Sequence, residues 1–267
     1  MIKEVSRFAD STVFEGMTSV RAVLDASAKG ISDRRILRVL YDTAKESSKE
    51  KELSYIRRMG AQKGFAVQGV STAEIDAVCT GNSHGGIIAE CSERSIPALL
   101  AQHFPANGFV VMIEGIEDPY NFGYALRTIY AAGADAVILT PRNWMSAAGV
   151  VCRSSAGASE LLPLFVCDPV EAAGMAHSVG YSVACAGIRD SVSAFEADLR
   201  CPLLLIVGGE KRGISRAVLD TADLVVRLDY GREFRGSLSA ASAASVLAYE
   251  VLRQNRRIFL PDNADQS

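Results

Sequence analysis

Asn121 and Arg127 stand where an apolar run, FVVMIEGI, gives way to the helix-forming stretch NFGYALRTIYAA. They are six residues apart, about 1.7 helical turns, so they do not fully share a face, yet an arginine is long enough to reach back toward the helix start. An N-cap asparagine beside a surface arginine is the plainer reading of the same residues. Glu210 poses a sharper question, because it follows the apolar run LLLIV inside the loop Gly208-Gly209-Glu210-Lys211-Arg212-Gly213. A carboxylate at the end of a buried strand demands a partner for its charge. The glycines around it let main-chain groups approach a ligand, although a tight turn alone would also use them. Ser237 and Leu238 open a third junction, where GSLSAASAAS presents small side chains that another helix or a flat ligand could lie against. In α/β proteins ligands are held where strands end and helices begin, so three such junctions suggest one composite site.

These junctions need a parallel sheet to position them. From Phe109 onward the runs FVVMIEGI, DAVIL, LPLFV, YSVACAG, PLLLIVG and LVVRLD are continuously apolar, as strands covered on both faces are. Helices are expected between them over 121–132, 146–155, 169–178 and 214–221, with a long one over 237–254 ending the fold. This alternation predicts a parallel α/β domain over 109–267. The first 95 residues read as a smaller α/β domain. Helices are expected in VRAVLDASAK, DRRILRVLYDTAKE and KEKELSYIRRMGAQK, and strands in FAVQGV and GGIIAEC. STAEIDAVCTG reads as a helix capped by Ser71 or Thr72. Residues 96–108, with two prolines and an Asn-Gly pair, read as the linker.

Composition narrows the chemistry. The chain has 267 residues, 49% hydrophobic and 22% charged, with net charge −3. No apolar run is long enough to span a bilayer, and the first residues lack a signal-peptide core, so a cytoplasmic protein with no membrane partner is expected. The six cysteines form no CxxC pair and lie mostly in apolar stretches, which predicts reduced, buried thiols. Three scattered histidines make no metal site. Neither GxGxxG nor a P-loop follows any strand, which weakens a nicotinamide or nucleoside-triphosphate reading. Residues 29–63 carry ten Lys/Arg against five acids, a local excess that could meet phosphate. Solvated helix faces of mixed sign remain the alternative.

Taken in order, the three junctions resemble the motifs of the SpoU (TrmH-type) RNA methyltransferases of the SPOUT superfamily. Asn121, Gly123 and Arg127 match the first motif, and Gly208, Glu210 and Gly213 the second. Ser237 and Leu238 followed by Tyr249, Glu250, Arg253 and Gln254 match the third. The resemblance spans roughly residues 109–255. It implies a C-terminal domain whose parallel sheet carries a deep trefoil knot, with S-adenosylmethionine held there by main-chain groups at Gly208, Leu228 and Leu238. It also implies a homodimer, and an N-terminal substrate-binding domain similar to a ribosomal RNA-binding protein. Methyl transfer to a ribose 2′-hydroxyl of structured rRNA or tRNA is the implied reaction. Arg127 would be its central catalytic residue, with Asn121, Glu210 and Ser237 setting the arginine and substrate in place. Guanidinium groups keep their protons at neutral pH, so orienting the hydroxyl and binding phosphate suits Arg127 better than acting as a base. The chain departs from the family at Ser239, where Asn is usual, at Gly209, and at Leu228-Asp229-Tyr230 in place of Ile-Pro-Met. These departures leave an RNA-binding protein that has lost catalysis as the alternative.

Overall fold

The computed structural model describes residues 12–79, 81, 84–141, 147–209 and 213–259. They fall into two compact units, Met1–Ser95 with Asn143–Leu161, and Ile96–Arg142 with Leu162–Ser267.

In the first unit β1 (Val13–Glu15), α1 (Gly16–Ala28), β2 (Ile36–Asp42), α2 (Glu50–Lys63), β3 (Ala66–Val70), α3 (Thr72–Val78) and β4 (Ile87–Cys91) follow one another. The strands form a mixed sheet in the order β1-β4-β2-β3, with β2 and β3 parallel and β4 antiparallel to both its neighbours. Leu53 and Ile56 of α2 pack with Phe14, Val20, Val39 and Ile87 in its core. The α2 helix stops at Gly64, whose φ of +80° suits a residue without a side chain. Ser71 caps α3 in a capping box with Glu74, as its sequence implies. The helix expected over DRRILRVLYDTAKE is instead strand β2. A register shift between Ile36 and Arg38 breaks the two-residue alternation, and Ile36, Val39, Leu40 and Tyr41 are all buried. Spacings of three and four therefore imitate a helix on a strand covered from both sides.

The chain then runs through β5 (Phe109–Glu114), α4 (Pro119–Ala131) and β6 (Ala136–Leu139) of the second unit. Next come α5 (Ala148–Ser154) and α6 (Ala158–Leu161), which lie in the span expected as one domain over 109–267 but pack with the first unit. Glu160 of α6 pairs there with Arg34, and the Arg94 guanidinium donates to the Ser159 carbonyl at 2.7 Å.

The second unit resumes with β7 (Leu164–Val166), α7 (Pro169–Ser178), β8 (Ser182–Ala186), β9 (Val192–Ser193) and β10 (Leu203–Gly208). It ends with α8 (Arg216–Leu219), β11 (Leu224–Arg227), α9 (Ala240–Gln254) and α10 (Arg256–Phe259). Its seven strands run parallel in the order β7-β6-β5-β10-β8-β11-β9. Val110, Met112, Ile138, Val183, Leu204 and Ile206 fill the core on one face of this sheet. The segment read as a linker reaches the outer sheet edge, where Leu99 N–H donates to the Val166 carbonyl at 3.0 Å. No helix among the described residues is long and apolar enough to cross a membrane.

Candidate active site

β5 and β10 lie side by side with Glu114 opposite Gly208, so the first two junctions leave the sheet together. Their main chains then touch. A Cβ built on Gly209 would sit 2.1 Å from the Gly115 carbonyl oxygen, and one on Gly208 would sit 2.5 Å from the Gly213 carbonyl carbon. Gly213 folds back to donate its N–H to the Gly209 carbonyl at 3.0 Å, and Gly115 and Gly213 both adopt positive φ. A side chain at 208 or 209 would separate these segments, which gives the unusual Gly209 a packing reason. Glu210 lies outside the described residues.

Asp118, not Asn121, caps α4: its carboxylate accepts the Asn121 N–H at 2.8 Å, with Pro119 in the first turn. Asn121 is half-buried in that first turn. Phe122, Gly123, Leu126 and Ile129 are buried, which leaves Arg127 exposed two turns along the helix. Among the described residues Arg127 has no hydrogen-bond or ion-pair partner. Its guanidinium is therefore available to a ligand.

The third junction is tied down from both sides. Arg227 donates to Asp229 at 2.9 Å and to the Ser191 carbonyl at 2.6 Å. A hydrogen bond from Ser193, with a further contribution from Arg227, holds the Asp229 carboxyl below its ordinary pKa. Leu238 donates its N–H to the Tyr230 hydroxyl at 3.1 Å, and Ser237 beside it is exposed. Ser239 is the N-cap of α9, accepting the Ser242 N–H at 3.1 Å. Asn and Ser cap helices equally well, so the departure from Asn keeps this function.

The Glu250, Arg253 and Gln254 positions of the third motif do structural work. Glu250 accepts from Arg253 at 2.7 Å and from Gln254 at 2.8 Å, while Gln254 bonds the Ala197 carbonyl and the Leu199 N–H. Asn255 continues this clamp by accepting the Cys201 N–H at 2.8 Å. The end of α9 thus fixes the segment that feeds β10.

α4 packs against α9, which brings the first and third motifs together. A groove of about 390 Å³ lies beside them, lined by Thr128, Phe195, Leu228, Val246 and Tyr249. Cysteine chemistry is not offered nearby: burial, with the Glu114 charge adding to it, pushes the Cys185 thiol up to about 12.

The SpoU rRNA Methylase family matches the chain over residues 108–249, more than half its length and all three junctions. The chain belongs to the SpoU family. A Staphylococcus saprophyticus protein named for the TrmH family of tRNA/rRNA methyltransferases is 28% identical over 249 residues, 91% of this chain and 96% of that one. The 23S rRNA (guanosine-2′-O-)-methyltransferase RlmB of Shewanella oneidensis is 26% identical, over 90% of this chain and 96% of its own. Among solved structures, an RNA 2′-O ribose methyltransferase superposes with a TM-score of 0.73 at 23% identity, covering 91% of this chain and 88% of that one. An AdoMet-bound rRNA methyltransferase from Sinorhizobium meliloti gives a TM-score of 0.75 at 20% identity, covering 90% and 86%. These two similarities are ones of fold.

Beside the SpoU motifs, sequence reasoning gave no role to Gly115, Asp118 or Tyr230. Asp-Pro at 118–119 is a legible cap signal. Gly115 and Tyr230 act on residues distant in the chain or across a loop; Tyr230 stands out only as a departure from the motif, and no local pattern gives either residue its partner.

Proposed function

We propose that this chain is an S-adenosylmethionine-dependent RNA methyltransferase acting on a ribose 2′-hydroxyl of structured rRNA or tRNA. The contact of the Gly115 and Gly209 main chains at the ends of β5 and β10 carries the reading. A surface built that tightly presents peptide groups rather than side chains, which suits a cofactor held by main chain at Gly208, Leu228 and Leu238. The Leu238 N–H, bonded here to the Tyr230 hydroxyl at 3.1 Å, would be one of these main-chain donors. When bound, the cofactor supplies an electrophilic methyl group on sulfur.

The chain's own residues would do the rest. Arg127, exposed on α4, orients the ribose hydroxyl and binds an adjacent phosphate. Asn121 at the helix start, Glu210 and Ser237 hold the arginine and the acceptor in place. The first unit would grip RNA phosphates without reading sequence. In support, the exposed Arg21 and Arg58 both lie over the Tyr55 ring, 5.4 and 5.6 Å from its centroid, on its α1 and α2 helices.

A trefoil knot and a homodimer belong to this reading. β10 inserts between β5 and β8, and the end of α9 clamps the segment that feeds it, an arrangement in keeping with a knotted chain. For the dimer, Tyr124, Phe195, Val246 and Tyr249 are between 44% and 66% exposed beside the α4–α9 groove, more apolar surface than a lone helix pair needs to show. The departures at Gly209 and Ser239 have packing and capping reasons, so they no longer favour a non-catalytic protein.

Calorimetry with S-adenosylmethionine, followed by methyl transfer to total RNA from a strain lacking the gene, tests the proposal. Micromolar binding and a new 2′-O-methyl nucleotide are expected. Absence of both refutes the enzyme, and a methylated base in place of a ribose refutes the acceptor.

A further inference from the structure

Tyr230 stands where the family usually has Met, and its hydroxyl accepts the N–H of Leu238 eight residues later. Its ring meets Phe234 edge-on, with centroids 5.6 Å apart at 70°. Gly236 lies against that second ring, since a Cβ there would come within 2.7 Å of Phe234 Cζ. The segment 230–238 thus has its own small aromatic cluster. It is not a buried one, because Tyr230, Phe234 and Leu238 are 40%, 57% and 38% exposed. Water would satisfy an N–H at such a position without help. A phenol oxygen placed there instead occupies the one main-chain donor of this segment that the proposed function assigns to the cofactor.

We infer that Tyr230 is a positioning residue that holds the Leu238 N–H until S-adenosylmethionine takes it over. The inference rests on the cofactor reading above. One N–H serves one strong acceptor at a time, so phenol and cofactor compete. The exchange is proton-neutral: the N–H stays intact, its acceptor changes, and the tyrosine hydroxyl turns to water. The cost is a weaker affinity than the same pocket would have without the hydroxyl.

Tyr230→Phe separates the two contributions, because it keeps the ring on Phe234 and removes the acceptor. Without cofactor, the Leu238 amide is expected to exchange with deuterium about threefold to tenfold faster in the variant, the range for one exposed neutral hydrogen bond. Calorimetry should show S-adenosylmethionine binding about threefold to tenfold more tightly. A tyrosine that merely braced the loop would give the opposite sign, so weaker or unchanged binding overturns the inference. In the wild-type protein, adding cofactor should shift the Tyr230 Cζ resonance of ¹³C-labelled tyrosine, and a resonance that does not move also overturns it. If neither protein binds the cofactor, the cofactor reading falls and takes the handover with it. If both bind equally, only the role of Tyr230 falls.

Discussion

Arg34 and Glu160 are joined 3.1 Å apart across 126 residues of chain, each only 3% exposed. Arg34 also donates to the Ser92 carbonyl at 2.6 Å and lies over the Phe14 ring, so three parts of the first unit converge on one guanidinium. Removing one member of a buried pair strands the other charge. Arg34→Met should cost about 3–5 kcal/mol in urea unfolding. Replacing both as Arg34→Met with Glu160→Leu should recover at least half of that loss. A double variant as unstable as the single one would show that the hydrogen bond to the Ser92 carbonyl, not the ion pair, carries the effect.

Gly209→Ala tests the meeting of the two loops. The added carbon would lie 2.1 Å from the Gly115 oxygen, main chain against main chain, with no flexible atom to give way. A loss of about 1–3 kcal/mol is expected, with cofactor affinity falling at least roughly tenfold. Gly174→Ala, in the exposed interior of α7 with nothing within 4 Å, should instead raise stability by about 0.5–1 kcal/mol. Thermal melts of the two variants compare them directly.

Ser239→Ala removes the cap of α9 and should lower stability by about 1 kcal/mol, whereas Ser239→Asn should change it by less than half as much. If Asn proves as harmful as Ala, Ser239 makes some contact other than the cap.

Arg127→Ala should reduce methyl transfer at least about a hundredfold and leave the dissociation constant for S-adenosylmethionine within about twofold. The side chain is exposed and its loss leaves no cavity, so melting should be unchanged. Equal loss of transfer and cofactor binding would contradict a role confined to the acceptor.

The clamp at the end of α9 should be sensitive to acid. Hydrogen bonds from Arg253, then Gln254, hold the Glu250 carboxyl below its ordinary pKa against the upward pull of burial. A depressed folded value means that the stabilisation is complete above the unfolded pKa, about 4.3, and drains away as pH falls through the folded one. The second unit should therefore lose stability below about pH 4.3, and Glu250→Gln should flatten that part of the profile. An identical acid limb in the variant would remove Glu250 as its cause.

Much of the second unit is legible because its strands are covered on both faces and its helices carry local stop and start signals. β10 and α7 are plain from LLLIVG and from Asp168 capping ahead of Pro169. β1 and β9, with three and two residues, are too short to form a pattern. β2 is misread because its irregular register imitates a helix. The insertion of β10 between β5 and β8 is a matter of long-range pairing, which no local window contains. At the site, the glycines announce close approach, but only coordinates reveal that Gly209 approaches Gly115, or that the conspicuous Glu250 and Gln254 serve the clamp.

α5 and α6 belong to the first unit although they lie in sequence between β6 and β7 of the second. On the ribosome, the first unit therefore stays incomplete until α6 has emerged, by which time β5, α4 and β6 are already outside the tunnel. A stop codon after residue 95 would release a body lacking Glu160 and the helices that α1 packs against. The converse fragment would begin at residue 96 with those helices stripped of their cover. Cutting at 96–108 is thus no dissection of this protein, and a fragment that precipitates would say nothing about whether its sheet can fold.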